Sequence, residues 1–231
     1  GETNWRFRFE FAKQCNLLCD LYSIEAINVT IAGIALTLAT DRVSEVRVEA
    51  SRLMARILHL MVDEEWREKE RSRESEDALE DMPLTSGFVR DIVKGFALSQ
   101  RWTRRITFMH MVEECRRLLS EAQLAHLLLK ETLSLSNDAV ANVRLVVARA
   151  LSPPPSEGVW TERVRATLER LAMDNDMDVA RQARLAMGST PSKEVIDISS
   201  RGLRLAEKEN NFLNVSSSDM SISPNNSLLS S

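Results

Sequence analysis

The sequence predicts an all-α fold in which about four and a half helical hairpins stack one after another into a solenoid. Three observations predict it: few turn-forming residues, a motif that returns about every 40 residues, and helical spacing of the apolar residues around each copy. The 231 residues contain only seven glycines and six prolines, about half the usual share. Such a composition argues against sandwiches, barrels and glycine-rich nucleotide-binding loops.

The repeated motif occurs five times. It consists of a turn with Asp or Asn, then a hydrophobic residue and usually Arg, and then a small residue. Equivalent positions are Arg8, Arg47, Arg105, Arg144 and Ala180, and they are separated by 39, 58, 39 and 36 residues. A two-helix unit of about 40 residues has the length of a HEAT or armadillo repeat. Two helices cannot cover their shared apolar face alone, so successive pairs stack around a continuous core.

The individual helices are predicted from apolar residues three or four positions apart, on both sides of each motif. Ser120 and Gln123 have the spacing of a capping box, which predicts the start of the fourth hairpin. Three prolines at 153–155 end that hairpin, because proline cannot continue a helix. The predicted core residues of the first helices are Ile27, Ile31, Ala35 and Leu38; Val89, Ile92, Val93 and Phe96; Leu124, Leu128 and Leu135; and Val164, Leu168 and Leu171. Those of the second helices are Val46, Ala50, Leu53, Met54, Ile57 and Met61; Phe108, Val112, Cys115 and Leu119; and Val143, Val147 and Leu151.

The predicted domain boundaries place the solenoid at residues 4–187. Its first unit has only a second helix, at residues 5–22, so we expect the chain to be the C-terminal part of a longer array. The separation of 58 residues between Arg47 and Arg105 is longer than one repeat, which predicts a charged insertion at residues 63–84. Residues 63–81 contain ten acidic and four basic residues. This pattern leaves open whether the insertion prolongs its helix or forms a disordered loop. Twelve serines after residue 188 and no sustained apolar stripe predict a disordered tail at 188–231.

The charge distribution excludes several classes of partner. The net charge is −4 and basic residues are not clustered, so we expect no nucleic-acid binding. The most apolar stretch, residues 24–39, is interrupted by polar residues and is shorter than a bilayer requires, so we expect no membrane partner. Three cysteines and no signal peptide at the start predict a reducing compartment, which we expect to be the cytoplasm and also the nucleus.

The sequence also predicts no enzyme, no cofactor and no metal. It contains no nucleophile elbow, Walker loop, dinucleotide fingerprint or zinc-protease motif. His110 precedes Glu113 and Glu114 at a spacing that a metal could use, but no further ligand completes the set. We expect the three cysteines to be buried core residues, because free cysteine behaves as a small hydrophobe.

The charged and aromatic residues of the motif fall into two groups. Asp and Arg of neighbouring repeats predict a ladder of charge-assisted hydrogen bonds along the solenoid. The other group lies in the turns, which we expect to line up as a ridge with tryptophan and arginine, the residues enriched in binding hot spots. Alternatively, Trp5 and Trp102 fold back over the core as caps. The ladder residues are Asp41, Arg47, Arg144 and Asp174; the ridge residues are Trp5, Arg6, Arg42, Arg101, Trp102 and Arg104.

Several segments resemble the C-terminal HEAT repeats of the regulatory subunits of protein phosphatase 4, which are similar to the scaffold subunit of phosphatase 2A. The resemblance covers residues 4–187 without the insertion and rests on order and spacing. The segments are residues 4–9; Ala35-Leu36-Thr37-Leu38-Ala39 with Asp41-Arg42-Val43; Arg101-Trp102 with Arg105; and Asn137-Asp138 with Asn142-Val143-Arg144-Leu145.

This resemblance implies a non-catalytic regulatory or scaffold subunit that binds the phosphatase 4 catalytic subunit and helps to direct it to substrate or adaptor proteins. The metal ions and the hydrolysis would belong to that partner. The alternative is a HEAT or armadillo adaptor, or a transport-receptor-like module, that binds another protein through the concave face of the second helices, near Glu49 and Arg56. The contact residues that the resemblance implies are Trp5, Arg6, Arg42, Arg101, Trp102, Asn137 and Asp138.

Overall fold

The computed structural model describes residues 4–72, 82–152 and 161–188, which all lie in one compact unit. In these ranges the chain forms nine helices joined by turns, and no strand. The predicted tail and the three prolines at 153–155 lie outside the described residues. The predicted all-α solenoid is confirmed for the part that the structure describes.

The helices are numbered in chain order. Helices α2 and α4 each contain a π-helical segment, which adds about one residue to a turn. The bounds are α1, Trp5–Leu18; α2, Ile24–Ala26 continuing through the π-helical Ile27–Ile31 into Ala32–Leu38; α3, Ser44–Ser72; α4, Pro83–Ile92 continuing into the π-helical Val93–Ala97; α5, Trp102–Leu118; α6, Glu121–Leu135; α7, Ala141–Ala150; α8, Thr161–Leu171; and α9, Met177–Ala186.

The hairpins pair each even-numbered helix with the odd-numbered helix that follows it. The odd-numbered helices also pack on one another in chain order, α1 on α3, α3 on α5, α5 on α7 and α7 on α9. Helix α1 has no even-numbered partner before it in the described residues, as the sequence predicts for its first unit. The order of half a hairpin followed by four hairpins therefore matches the prediction.

The core lies between the two layers of helices and includes the predicted apolar positions. All of the predicted core residues are buried, apart from Val89 and Val93, which are half-buried. The cysteines are free and buried as expected. Burial raises the pKa of the Cys115 thiol far above its ordinary value, so this side chain is an unreactive core residue. The capping box of Ser120 and Gln123 opens α6 as predicted.

The start of the charged insertion is helical, because α3 continues to Ser72, and residues 73–81 lie outside the described residues. The chain rejoins the solenoid at Met82, which is buried. The buried carboxylate of Glu65 accepts hydrogen bonds from the backbone N–H groups of Leu84, at 2.7 Å, and Thr85, at 3.1 Å. Glu65 therefore caps the first turn of α4 from the neighbouring helix, although the sequence analysis counted it with the insertion.

Candidate functional site

The candidate site is the row of turns between the two helices of each hairpin, residues 39–43, 98–101, 136–140 and 172–176, together with the first turn of each odd-numbered helix. We call this surface the turn ridge. In every one of these turns, a side-chain oxygen accepts a hydrogen bond from the backbone N–H group two residues later, which fixes the entry into the odd-numbered helix. The pairs are Asp41 with Val43 at 2.9 Å, Ser99 with Arg101 at 3.3 Å, Asp138 with Val140 at 2.8 Å and Asp174 with Asp176 at 2.9 Å.

Three of these turns are joined to the preceding repeat by a bidentate ion pair. In each pair, Nε and Nη2 of an arginine donate to both carboxylate oxygens of the turn aspartate, the planar arrangement that gives strong charge-assisted hydrogen bonds. All six side chains are largely buried. The pairs and their Nε and Nη2 distances are Arg8 with Asp41, 2.5 and 3.0 Å; Arg105 with Asp138, 2.5 and 2.9 Å; and Arg144 with Asp174, 2.7 and 2.8 Å.

The remaining guanidinium nitrogen, Nη1, donates hydrogen bonds to backbone carbonyls of the arginine's own turn. Nη1 of Arg105 donates to the carbonyl of Ser99 at 2.7 Å, and Nη1 of Arg144 donates to that of Asp138 at 2.7 Å. Arg47 makes the same contact, donating to the carbonyl of Asp41 at 2.9 Å. Each of these arginines thus fixes its own turn, and Arg105 and Arg144 also fix the next one.

The predicted ladder is confirmed for Asp41, Arg144 and Asp174. It is wrong for Arg47, because the equivalent position in the next turn is occupied by Ser99, which has no carboxylate. Sequence analysis placed Asp138 among the contact residues, whereas the structure buries its carboxylate against Arg105 with a side-chain exposure of 6%.

Acid should weaken the ladder. The hydrogen bonds from Arg8 and Arg144 hold the pKa values of Asp41 and Asp174 below their usual range. A carboxylate whose pKa is lowered by folding stabilises the protein fully above its unfolded pKa of about 4. This stabilisation is lost as the pH falls through the pKa of the folded state. We expect the free energy of unfolding to decrease between about pH 5 and pH 2, and Asp174→Asn to flatten this dependence. Urea unfolding at fixed pH steps measures both slopes, and equal slopes would contradict the assignment.

The two tryptophans of the ridge differ in their packing. Trp102, the first residue of α5, is 44% exposed. Trp5 is half-buried, packs against the core and meets Phe9 edge to face, with ring centroids 6.4 Å apart. The guanidinium of Arg6 lies 4.9 Å from the centre of the Trp5 ring. The interpretation as an exposed contact residue therefore suits Trp102, and that of a residue folded over the core suits Trp5.

Arg6, Arg42, Arg101 and Asn137 are exposed to solvent, whereas Arg104 is half-buried and the carboxylate of Asp138 is buried. Arg42 and Asn137 lie in turns, and Arg101 is the N-cap residue of α5. Trp5, Arg6, Trp102 and Arg104 belong to the first turns of α1 and α5 and not to the connecting turns, because these helices begin directly after Asn4 and Arg101. The predicted group is thus spread along one surface, the turn ridge.

A different surface, the solvent-facing side of the odd-numbered helices, carries a network of ion pairs. We call it the odd-helix face. Glu49, which the sequence analysis placed near the concave binding face, is buried and pairs with Arg52. Helices α1 and α5 both pack on α3, the helix that carries Glu49. Arg56 pairs with Asp20. Arg52 also reaches Glu114 at 3.5 Å, and Arg117 pairs with the same carboxylate at 2.8 Å.

Further along the odd-helix face, Glu113 accepts hydrogen bonds from Arg149 at 2.5 and 3.0 Å. His110 lies 3.3 Å from the same carboxylate. Burial by itself would raise the pKa of Glu113, but the hydrogen bonds with His110 and Arg149 outweigh it and place the pKa below its usual range. His110 and Glu113 thus belong to an ion-pair cluster, and no group of three possible metal ligands occurs in the ranges described above.

Comparison with known proteins finds similarity to one kind of subunit. This chain is similar to serine/threonine-protein phosphatase 4 regulatory subunit 1. The rat, human and mouse proteins of that name are each 30% identical to it over 209 residues. The matched region covers 83% of this chain and 20% of each relative, so the chain spans about a fifth of the length of the relatives it matches. The resemblance predicted from the sequence is thereby confirmed.

No protein-family model matches the chain. The similarity to regulatory subunit 1 therefore rests on the pairwise comparisons alone. Within the helices that the structure describes, none is long and apolar enough to cross a membrane.

Proposed function

We propose that this chain is a non-catalytic regulatory or scaffold subunit of a protein phosphatase 4 complex in the cytoplasm and nucleus. Its turn ridge would bind the catalytic subunit and help to bring it to substrate or adaptor proteins. The similarity to regulatory subunit 1 supports the class of complex. The turn ridge is chosen as the binding surface because Arg101 and Trp102 are exposed there, on turns that are fixed by hydrogen bonds.

The turn ridge suits protein binding for two physical reasons. Exposed tryptophan and arginine are the side chains that most often dominate binding energies. A surface that is already rigid loses less conformational entropy on binding, and the ladder supplies that rigidity by fastening successive turns. Stacked helices lie about 8–10 Å apart, so several turns offer a strip long enough for part of a standard interface of about 1,200–2,000 Å².

In this role the chain supplies shape and position. The metal ions and the hydrolysis of the phosphoester belong to the catalytic subunit. The adaptor alternative would use the odd-helix face, where the carboxylates of Glu49 and Glu113 are already paired within the chain, with Arg52 and Arg149. A partner that bound there would have to compete with these ion pairs, so the turn ridge is the better supported surface.

Matched charge reversals on the two surfaces test this proposal. Arg101 on the turn ridge and Arg117 on the odd-helix face are both exposed. We expect the wild-type chain and Arg117→Glu to capture purified phosphatase 4 catalytic subunit equally well, and Arg101→Glu to weaken binding by at least about tenfold, because like charges at an interface are costly. Biolayer interferometry gives the affinities.

Two results would contradict the proposal. If the wild-type chain does not bind the catalytic subunit, the proposed partner is wrong. If Arg117→Glu weakens binding and Arg101→Glu does not, the odd-helix face is the docking surface. Circular dichroism melting of both variants checks that neither substitution unfolds the chain.

A further inference from the structure

The ladder along the turn ridge has one position where a bidentate pair is missing. The turns at 39–43, 136–140 and 172–176 each present an aspartate to the arginine of the preceding repeat. In the turn at 98–101 the equivalent residue is Ser99, which accepts the same turn hydrogen bond, and the arginine of the preceding repeat is Arg47. We call the arrangement of Arg47 and Ser99 the open rung.

Local geometry shows that only the carboxylate differs at the open rung. Nη1 of Arg47 donates to the carbonyls of Asp41 and Arg42, both at 2.9 Å, just as Nη1 of Arg105 donates to the carbonyls of its own turn. Ser99 makes the same turn hydrogen bond to the residue two positions later as the three aspartates do. Nη1 of Arg47 is therefore placed as Nη1 of Arg105 is in its closed rung. Its Nε and Nη2 groups find no side-chain acceptor in the described part of the chain.

The surroundings of the open rung contain more basic than acidic residues. Arg42 lies in one flanking turn, and Arg101 and Arg104 lie in and directly after the other, whereas the first turn of α3 carries one acidic residue, Glu45. The N-terminus of the 17-residue helix α5 adds a partial positive charge at the same place. The last turn of the ridge has the opposite character, because Asp176 and Asp178 follow the ion pair of Asp174 with Arg144. The ridge therefore attracts anionic groups at the open rung and repels them at its C-terminal end.

We infer that the open rung is a binding site for an aspartate or glutamate carboxylate of a docked protein. The arginine fork and the turn geometry are those that hold a carboxylate in the three closed rungs, and the missing carboxylate is the one that the partner supplies. Trp102, exposed beside this site, offers an apolar contact to the same segment of the partner. The inference rests on the proposed function, so the partner is the phosphatase catalytic subunit.

Ser99→Asp and Ser99→Asn form a matched pair that tests the inference. Both side chains can make the turn hydrogen bond, but only aspartate supplies the charge that closes the rung. We expect Ser99→Asp to raise the melting temperature by about 2–4 °C and to weaken binding of the purified catalytic subunit about tenfold, because the fork is then occupied within the chain. Ser99→Asn should leave both quantities close to the wild-type values.

A double-mutant cycle with Arg47→Gln separates occupation of the fork from general repulsion. If the partner's carboxylate binds Arg47, Ser99→Asp should change the affinity less than twofold once Arg47 has been replaced. An equal loss in both backgrounds would overturn the open rung as a binding site, as would unchanged binding by Ser99→Asp. Failure of the wild-type chain to bind the catalytic subunit would overturn the proposed function and, with it, this role of the rung.

Discussion

Replacing Glu65 with alanine should lower the free energy of unfolding by about 3 kcal/mol, since two hydrogen bonds to a charged group are lost. The carboxylate is buried and accepts from the backbone N–H groups of Leu84 and Thr85 at the start of α4. Alanine leaves these donors at the helix end without their acceptor, which adds the cost of a lost N-terminal cap. Urea unfolding followed by circular dichroism gives the difference in free energy.

The neighbouring Glu64 provides the control for this prediction. Its side chain is more exposed and lies 4.0 Å from Arg67, a surface ion pair. Glu64→Ala should therefore change the free energy of unfolding by less than about 1 kcal/mol. Glu65→Gln should fall between wild type and Glu65→Ala, because the amide oxygen still accepts one of the two hydrogen bonds. A Glu65→Ala protein as stable as Glu64→Ala would refute the capping role.

Replacing Trp102 with alanine should weaken binding to the phosphatase catalytic subunit by about 2 kcal/mol or more, which is a factor of about 30 in affinity. The indole is 44% exposed on the turn ridge, next to Arg101, so a partner can bury the remaining surface. Because much of the ring is already in water, the melting temperature should decrease only slightly. Isothermal titration calorimetry and thermal melting of the same preparation measure both effects.

An apolar residue away from the turn ridge shows whether the effect belongs to this surface. Val29 on α2 is 81% exposed, and Val29→Ala should leave both binding and melting unchanged. If Trp102→Ala instead melts many degrees lower and binds in proportion to its folded fraction, Trp102 is a packing residue. The ridge would then lack its main hot spot.

The sequence predicts the order of hairpins because that order depends on spacing alone. Apolar residues three or four positions apart, as in Val46, Ala50 and Leu53, mark the buried side of a helix wherever that helix packs. All of the predicted core residues are therefore buried apart from the half-buried Val89 and Val93, but the list misses buried residues such as Leu58, Met109 and Leu129. The π-helical segments in α2 and α4 are not predicted, since a one-residue widening leaves the average spacing almost unchanged.

The ion pairs could be predicted only where the motif is regular. Arg144 occupies the arginine position of one repeat and Asp174 the turn position of the next, so their pairing follows from the repeat. Arg47 also occupies the arginine position, but the turn position of the next repeat is Ser99, which could have been recognised by aligning the repeats on the turn residue as well as on the arginine. The buried Glu49 could not be predicted from its own helix, because its burial depends on how closely the adjacent helices pack.

The contact between Glu65 and the start of α4 also bears on how the chain between them can vary. The hydrogen bonds that Glu65 accepts from the first turn of α4 do not depend on the length of the chain between the two helices. Insertions between α3 and α4 should therefore leave the start of α4 in its place. We expect an epitope tag or a fluorescent reporter inserted there to cost little stability.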